Sequence, residues 1–151
     1  MSGTPPPLPE FVVNGIDHID MAVESVEEAA AFYVKLGFEI LRRTEHVGGA
    51  IELRFPGEGD QPVLELVPCT KPDGTRLAEP GVRHIGLRCS DVHAAYRTLG
   101  ANGVSFRKEP GYYGVTRRWL LNAIDPSAPM MQFVGTESAT EEQNPKGGSA
   151  L

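Results

Sequence analysis

Apolar and polar residues alternate from Ile16 to Val23, which predicts a strand with Ile19, Met21 and Val23 on one face and His18, Asp20 and Ala22 on the other. The period then lengthens. Ala29, Ala30, Phe32, Tyr33 and Leu36 form a helical apolar stripe, opened by Ser25 as N-cap with Glu28 three residues on, and closed by Gly37. Three more strands are expected: Phe38 to Thr44, Ala50 to Phe55 after the Gly48-Gly49 turn, and Gln61 to Val67 after the turn at 56–60. After a linker from Cys69 to Gly81 the same order returns. Val82 to Cys89 reads as a strand, Val92 to Ala101 as a helix capped by Ser90 or Asp91, and Val104 to Lys108, Arg117 to Ile124 and Met130 to Val134 as strands. The fold class is α+β, a βαβββ unit written twice.

The repeat is visible residue by residue. Asp17-His18-Ile19-Asp20 returns 66 positions later as Arg83-His84-Ile85-Gly86, and at the same offset Val26 meets Val92, Ala29 meets Ala95 and Gly37 meets Gly103. Each unit closes on an apolar strand holding one polar residue, Glu65 in the first and Gln132 in the second. If Leu64, Leu66, Met131 and Phe133 pack on the helices, Glu65 and Gln132 turn away from them, as His18 and His84 do. A single histidine in a strand is usually a hydrogen-bonded core residue. Two histidines and two oxygen donors at duplicated positions, all facing one way, instead point to a shared metal site for Zn²⁺, Ni²⁺, Co²⁺, Mn²⁺ or Fe²⁺.

Composition narrows the partners. A chain of 151 residues, 40% hydrophobic and 23% charged, is long enough for one domain with a real core. A net charge of -6 argues against nucleic acid or an anionic membrane as partner, and no apolar run is long enough to span a bilayer. The N-terminus lacks the basic and apolar regions of a secretory signal, and two cysteines make no disulfide framework, so reduced thiols in the cytoplasm are expected. Residues 1–11 and 136–151, rich in Pro, Gly, Ser, Thr and Glu, read as disordered tails around a domain spanning 12–135, with units at about 12–68 and 82–135.

Several segments together resemble the vicinal oxygen chelate superfamily, which includes glyoxalase I, methylmalonyl-CoA epimerase, extradiol dioxygenases and bleomycin-binding proteins. They are Ile16-Asp17-His18-Ile19, the stretch from Phe32 to Phe38, Leu64-Glu65-Leu66, Arg83 to Leu87, and Asp125-Pro126. The resemblance covers about residues 12–135. It implies curved mixed sheets around a metal-binding cleft, a divalent metal on His18, Glu65, His84 and Gln132, and a homodimer acting on a small molecule. Gln132 departs from the glutamate usual at that position, which weakens the reading as an Fe²⁺-dependent ring-cleaving dioxygenase. Four retained donors argue against a metal-free binding protein. A metal-dependent isomerase, epimerase or glyoxalase-type lyase is expected, moving a proton beside the carbonyl of a small hydroxylated keto substrate. Glu65 and Asp20 are its candidate bases, with Asp20 alternatively a partner that orients an imidazole. Arg88, Arg54, Glu52, His46 and Tyr113 are candidate substrate contacts.

Overall fold

The computed structural model describes residues 10–124 and 130–135. Asp125-Pro126 and most of both expected tails lie outside them. Phe11 belongs to the folded body, since it packs against the second unit's core.

The first unit comprises β1 (Val13–Val23), α1 (Val26–Lys35), β2 (Glu39–Thr44), β3 (Ala50–Arg54) and β4 (Val63–Pro68), with a short 3-10 turn at His46–Gly48. The second comprises β5 (Gly81–Cys89), α2 (Val92–Ala101), β6 (Ser105–Phe106), β7 (Gly111–Tyr113), β8 (Arg118–Ile124) and β9 (Met131–Gly135). Two details differ from expectation. The strand expected at 104–108 forms only over Ser105–Phe106, and an additional strand, β7, pairs with β8.

Each helix begins where its cap predicts. The Ser25 hydroxyl accepts from the Glu28 N–H, and the Asp91 carboxylate from the N–H groups of His93 and Ala94, which settles Asp91 as the second cap.

All strands join one mixed sheet in the order β2-β3-β4-β1-β5-β9-β8-β6. Within the units, β1 runs parallel to β4 and β5 parallel to β9; between them, β1 and β5 run antiparallel. The two units therefore meet edge to edge within one chain, related by a pseudo-two-fold axis near the β1–β5 seam.

Strand parity sends the apolar sets toward the helices. Leu53, Leu64, Leu66, Ile19 and Met21 pack with Ala30 and Tyr33 of α1. Trp119, Leu121 and Phe133 pack with Val92 and Ala95 of α2. Burying a side chain such as Leu53 or Leu66 fully contributes about 1.5–3 kcal/mol, so each helix is fixed on its half-sheet by several such residues. Cys69 and Cys89 are buried in separate clusters and form no disulfide. Among the described residues no helix is long and apolar enough to cross a membrane.

Candidate metal centre

The polar residues of the same strands point the other way. His18 from β1, Glu65 from β4, His84 from β5 and Gln132 from β9 are all buried, and all line one cavity of about 180 Å³ on the side of the sheet away from the helices.

The β1–β5 register decides how the histidines meet. His18 stands opposite Gly86, and His84 opposite Asp20. The rings lie edge to face with 3.3 Å between their Nε2 atoms. Gly86 makes this possible, because a Cβ there would lie 2.3 Å from Cε1 of His18.

Bulges in the seam add two residues that the alternation pattern could not place. Asp17 is the extra residue between the pairs Ile16/Leu87 and His18/Gly86, and Arg83 the extra one between Asp20/His84 and Met21/Val82. Asp17 accepts from Nδ1 of His18 at 2.8 Å and from Nε of Arg118 at 2.7 Å. Burial alone would raise its carboxyl, but the His18 hydrogen bond and the Arg118 charge hold it below the ordinary aspartate range. An ionised carboxylate only accepts, so Nδ1 of His18 carries a proton and its Nε2 points into the cavity.

Arg83 grips Asp20 with two hydrogen bonds of 2.8 Å. Burial opposes ionisation of Asp20 too, yet the Arg83 hydrogen bonds and the charge of His84 keep its carboxyl low. Its Oδ2 lies 3.8 Å from Nε2 of His84.

Glu65 is the outlier. It is 3% exposed, and its Oε2 is buried with no hydrogen-bond partner. Burial, then the charges of Asp20 and Glu52, push its carboxyl up to about 8. Desolvation pushes His46 and His84 down to about 4, so both rings are neutral near pH 7, the form that ligates metals. Gln132 donates from Nε2 to Oδ1 of Asn122 at 2.9 Å, which leaves the amide oxygen as its donor atom for a cation.

The candidate substrate contacts separate into two groups. His46 and Tyr113 line the cavity, with 3.1 Å between Nδ1 of His46 and the Tyr113 hydroxyl. Glu52 is buried beside it, ion-paired to Arg118 at 3.0 Å and Arg42 at 3.1 Å. Arg54 and Arg88 do not line the cavity. Arg54 ends β3 and pairs with the exposed Glu39. Arg88 shares the His84 face but lies four residues farther on, roughly 13 Å along a strand, and pairs with Asp60. Arg118 and Asn122 were passed over in the sequence, although a readable signal existed: with Leu120 they occupy the alternate positions of β8 opposite Trp119 and Leu121.

The model of the Glyoxalase/Bleomycin resistance protein/Dioxygenase superfamily matches residues 15–128. The chain belongs to this superfamily. Among solved superfamily-like folds, methylmalonyl-CoA epimerase of Mycobacterium tuberculosis superimposes with a TM-score of 0.69 at 21% identity, over 89% of this chain and 95% of that one. A Streptomyces coelicolor methylmalonyl-CoA epimerase in complex with 2-nitronate-propionyl-CoA gives 0.67 at 20% identity, over 84% and 100%. At these identities the likeness establishes the glyoxalase-like fold. A Bacillus subtilis protein, the uncharacterized YwbC, is 34% identical over 82 residues, 54% of this chain and 65% of its own length. The chain thus spans just under two thirds of that relative.

The residues present fit the divalent metal common in this superfamily. Two imidazole Nε2 atoms lie 3.3 Å apart, while ligands of one ion at ~2.0–2.1 Å stand roughly 2.9–3.4 Å from each other at tetrahedral or right angles. A divalent ion would displace the proton of Glu65 and pair with its unpartnered oxygen. Among the described residues, the set of three whose ligand atoms all lie within 4.8 Å of one another is Asp20, His46 and Glu65, so the donors converge most closely around His46 rather than around the two strand histidines.

Proposed function

We propose that this chain is a metal-dependent isomerase or epimerase, or a glyoxalase-type lyase, that moves a proton at the carbon beside the carbonyl of a small hydroxylated keto substrate. The observation that carries the reading is Glu65: a buried carboxyl with one oxygen unpartnered, facing two histidines across a small cavity. Leaving such a group unsatisfied costs about 1–3 kcal/mol or more, and a binding protein without a metal has no use for it.

His18, Glu65, His84 and Gln132 would hold the ion. When bound, a divalent cation supplies positive charge against the developing enolate. The protein's own groups do the rest. Asp17 fixes the His18 ring, and Asn122 fixes the Gln132 amide. Glu65, buried in the cavity with one oxygen free of any hydrogen-bond partner, is the favoured carrier of the substrate proton. Asp20, clamped by Arg83 beside His84, is better suited to orienting than to accepting that proton. Tyr113 and Arg107 at the cavity wall provide polar contacts for hydroxyl or carboxylate groups. A volume near 180 Å³ accommodates a keto acid, a cyclitol, or the acyl end of a larger ester.

The supporting features extend to the setting. Exposed Phe32 on α1, Leu36 at its C-cap, and Ile40 and Leu41 on the edge strand support a homodimer, which sedimentation equilibrium tests.

The central test loads the protein with Zn²⁺, Mn²⁺, Co²⁺ or Ni²⁺ in D₂O and follows solvent deuterium entering a panel of hydroxy-ketones, keto acids and acyl thioesters. Metal-dependent exchange, abolished by chelator, is expected. No exchange with any metal sinks the proposal, and oxygen consumption with catechols and Fe²⁺ replaces it with a dioxygenase.

A further inference from the structure

We infer that His46 is a third imidazole ligand of the cation, so that this chain adds His46 to His18, Glu65, His84 and Gln132. The inference rests on the proposed divalent site but departs from the two-histidine set that the duplicated strands supply.

His46 is not part of the repeat. It lies in the turn between β2 and β3, yet it is only 5% exposed and lines the same cavity as the strand histidines. Its Nε2 stands 3.9 Å from Oε1 of Glu65, within the ~4 Å that separates two ligands on opposite sides of one ion at ~2.0–2.1 Å. Its other nitrogen, Nδ1, lies against the Tyr113 hydroxyl at 3.1 Å. That is the arrangement of a metal-bound histidine, one nitrogen on the ion and the other held by an outer partner. His18 is disposed in the same way, with Asp17 on Nδ1 and Nε2 turned inward.

The turn is built to aim this ring. Val47, a β-branched residue, sits in the left-handed region at φ 45° and ψ 34°, followed by Gly48 at φ 89° and Gly49 at φ 139°. Left-handed valine is unfavourable and persists only where its surroundings impose it. Val47 packs against the buried cluster of Ala22, Ala50, Val67 and Cys69, and Pro72 of the linker lies so near Gly48 that a Cβ there would be 2.5 Å from its Cδ. Asp20 is the rival for the same coordination position, and its two oxygens already accept from Arg83. His46 carries no such ion-pair commitment.

The Co²⁺-loaded protein tests this directly. A histidine bound through Nε2 retains an N–H at Nδ1, and the paramagnetic ion shifts that proton far outside the normal NMR range. Three such exchangeable signals are expected from the wild-type protein. His46→Gln should remove one and weaken Co²⁺ binding, measured by calorimetry, at least tenfold. Tyr113→Phe, which leaves the proposed ligands intact, should move the same signal without abolishing it. An identical set of shifted signals in wild type and His46→Gln, with unchanged affinity, overturns the assignment. Should His46→Gln fail to fold, a Tyr113→Phe spectrum matching wild type overturns it equally. A wild-type protein that binds no Co²⁺ at all removes the proposed function as well, whereas Co²⁺ held with two shifted imidazole signals removes only the third ligand.

Discussion

In the first βαβββ unit, the charged residues gathered around the cavity are mainly acidic: Asp17, Asp20, Glu52 and Glu65. In the second they are Arg83, Arg107 and Arg118, accompanied by the neutral Asn122 and Gln132. The two units share a backbone plan, but their buried charges are complementary. Asp20 pairs with Arg83, and Asp17 and Glu52 both pair with Arg118, so these three buried contacts join one half to the other. Glu65 alone among the four acids lacks an arginine hydrogen bond. The two units thus share symmetrical backbone positions but carry opposite charge on them, leaving one carboxyl beside the histidines without such a partner.

The largest break in this arrangement is expected from Arg118→Leu. Arg118 is 7% exposed, and burial, which works to lower its proton affinity, is outweighed by Asp17 and Glu52, so it stays cationic. Removing it leaves Asp17 with His18 alone and Glu52 with Arg42 alone as charged partners. Breaking a buried pair this way costs about 3–5 kcal/mol, far more than the pair itself contributes. Urea unfolding at pH 7 should show that loss, and should show it recede at low pH, where Asp17 and Glu52 become protonated. A change under ~1 kcal/mol would mean that the halves do not depend on this contact.

Gly86→Ala targets the other side of the comparison. The seam sets Asp20 against His84 but bare backbone against His18, and an added methyl must displace the His18 imidazole from Asp17. Metal affinity should fall by about 10–100-fold, the range for disturbing a ligand's outer hydrogen bonds. Calorimetric titration with Zn²⁺ checks this, with circular dichroism to confirm the fold. An unaltered affinity would show that His18 does not ligate.

How much of this was legible in the chain follows from its physical causes. The period-2 alternation of β1, β4, β5 and β9 placed the four duplicated donors on one face, because parity survives folding wherever strands are regular. It failed at the bulges. Asp17 and Arg83 turn toward the site only because the β1–β5 register slips there, and that slip is decided by pairing partners distant in sequence. The short β6 and the added β7 were misread for a similar reason: three-residue strands such as Gly111–Tyr113 carry too little pattern to stand out. The inward turn of His46 sits in a loop whose Gly48 is closely approached by Pro72 of the distant linker, a contact invisible to local sequence.

The proton affinities of the centre give a sharper, intermediate effect. Folded His46 and His84 titrate near 4 where an unperturbed histidine titrates near 6.5, so the unfolded chain binds more protons between those values and apo stability rises with pH there. Folded Glu65 titrates near 8 against an ordinary 4.5, so it keeps a proton that the unfolded chain has lost, and its contribution declines as pH rises toward 8. Two histidines outweigh one glutamate below 6.5, and above it Glu65 prevails. Apo stability from this cluster should therefore peak near pH 6.5 and fall by about 1 kcal/mol by pH 8, because the histidines finish titrating as Glu65 begins to lose its proton. Bound Zn²⁺, by expelling the Glu65 proton, should remove the decline, as should Glu65→Gln. Denaturant midpoints at several pH values, with and without Zn²⁺, measure it. A flat apo profile above pH 6.5 would show that Glu65 is ionised and satisfied in the metal-free fold.

The smallest effects should come from Arg54 and Arg88, and they bear on whether face alone predicts function. Arg88 shares a face of β5 with His84, and Arg54 lies two residues beyond Glu52 on β3, yet neither reaches the cavity. Both spend their charge on exposed carboxylates, Glu39 and Asp60, where solvent screening leaves little to lose. Arg54→Ala and Arg88→Ala should each change Zn²⁺ affinity less than twofold and leave deuterium exchange into any accepted substrate near wild type. Arg107, which lines the cavity from the second unit, serves as the contrast: Arg107→Ala should raise KM for an anionic substrate while leaving Zn²⁺ affinity unchanged. If Arg88→Ala instead raises KM as strongly as Arg107→Ala, the substrate extends along β5 past the cavity mouth, and distance along the strand is no barrier to a role there.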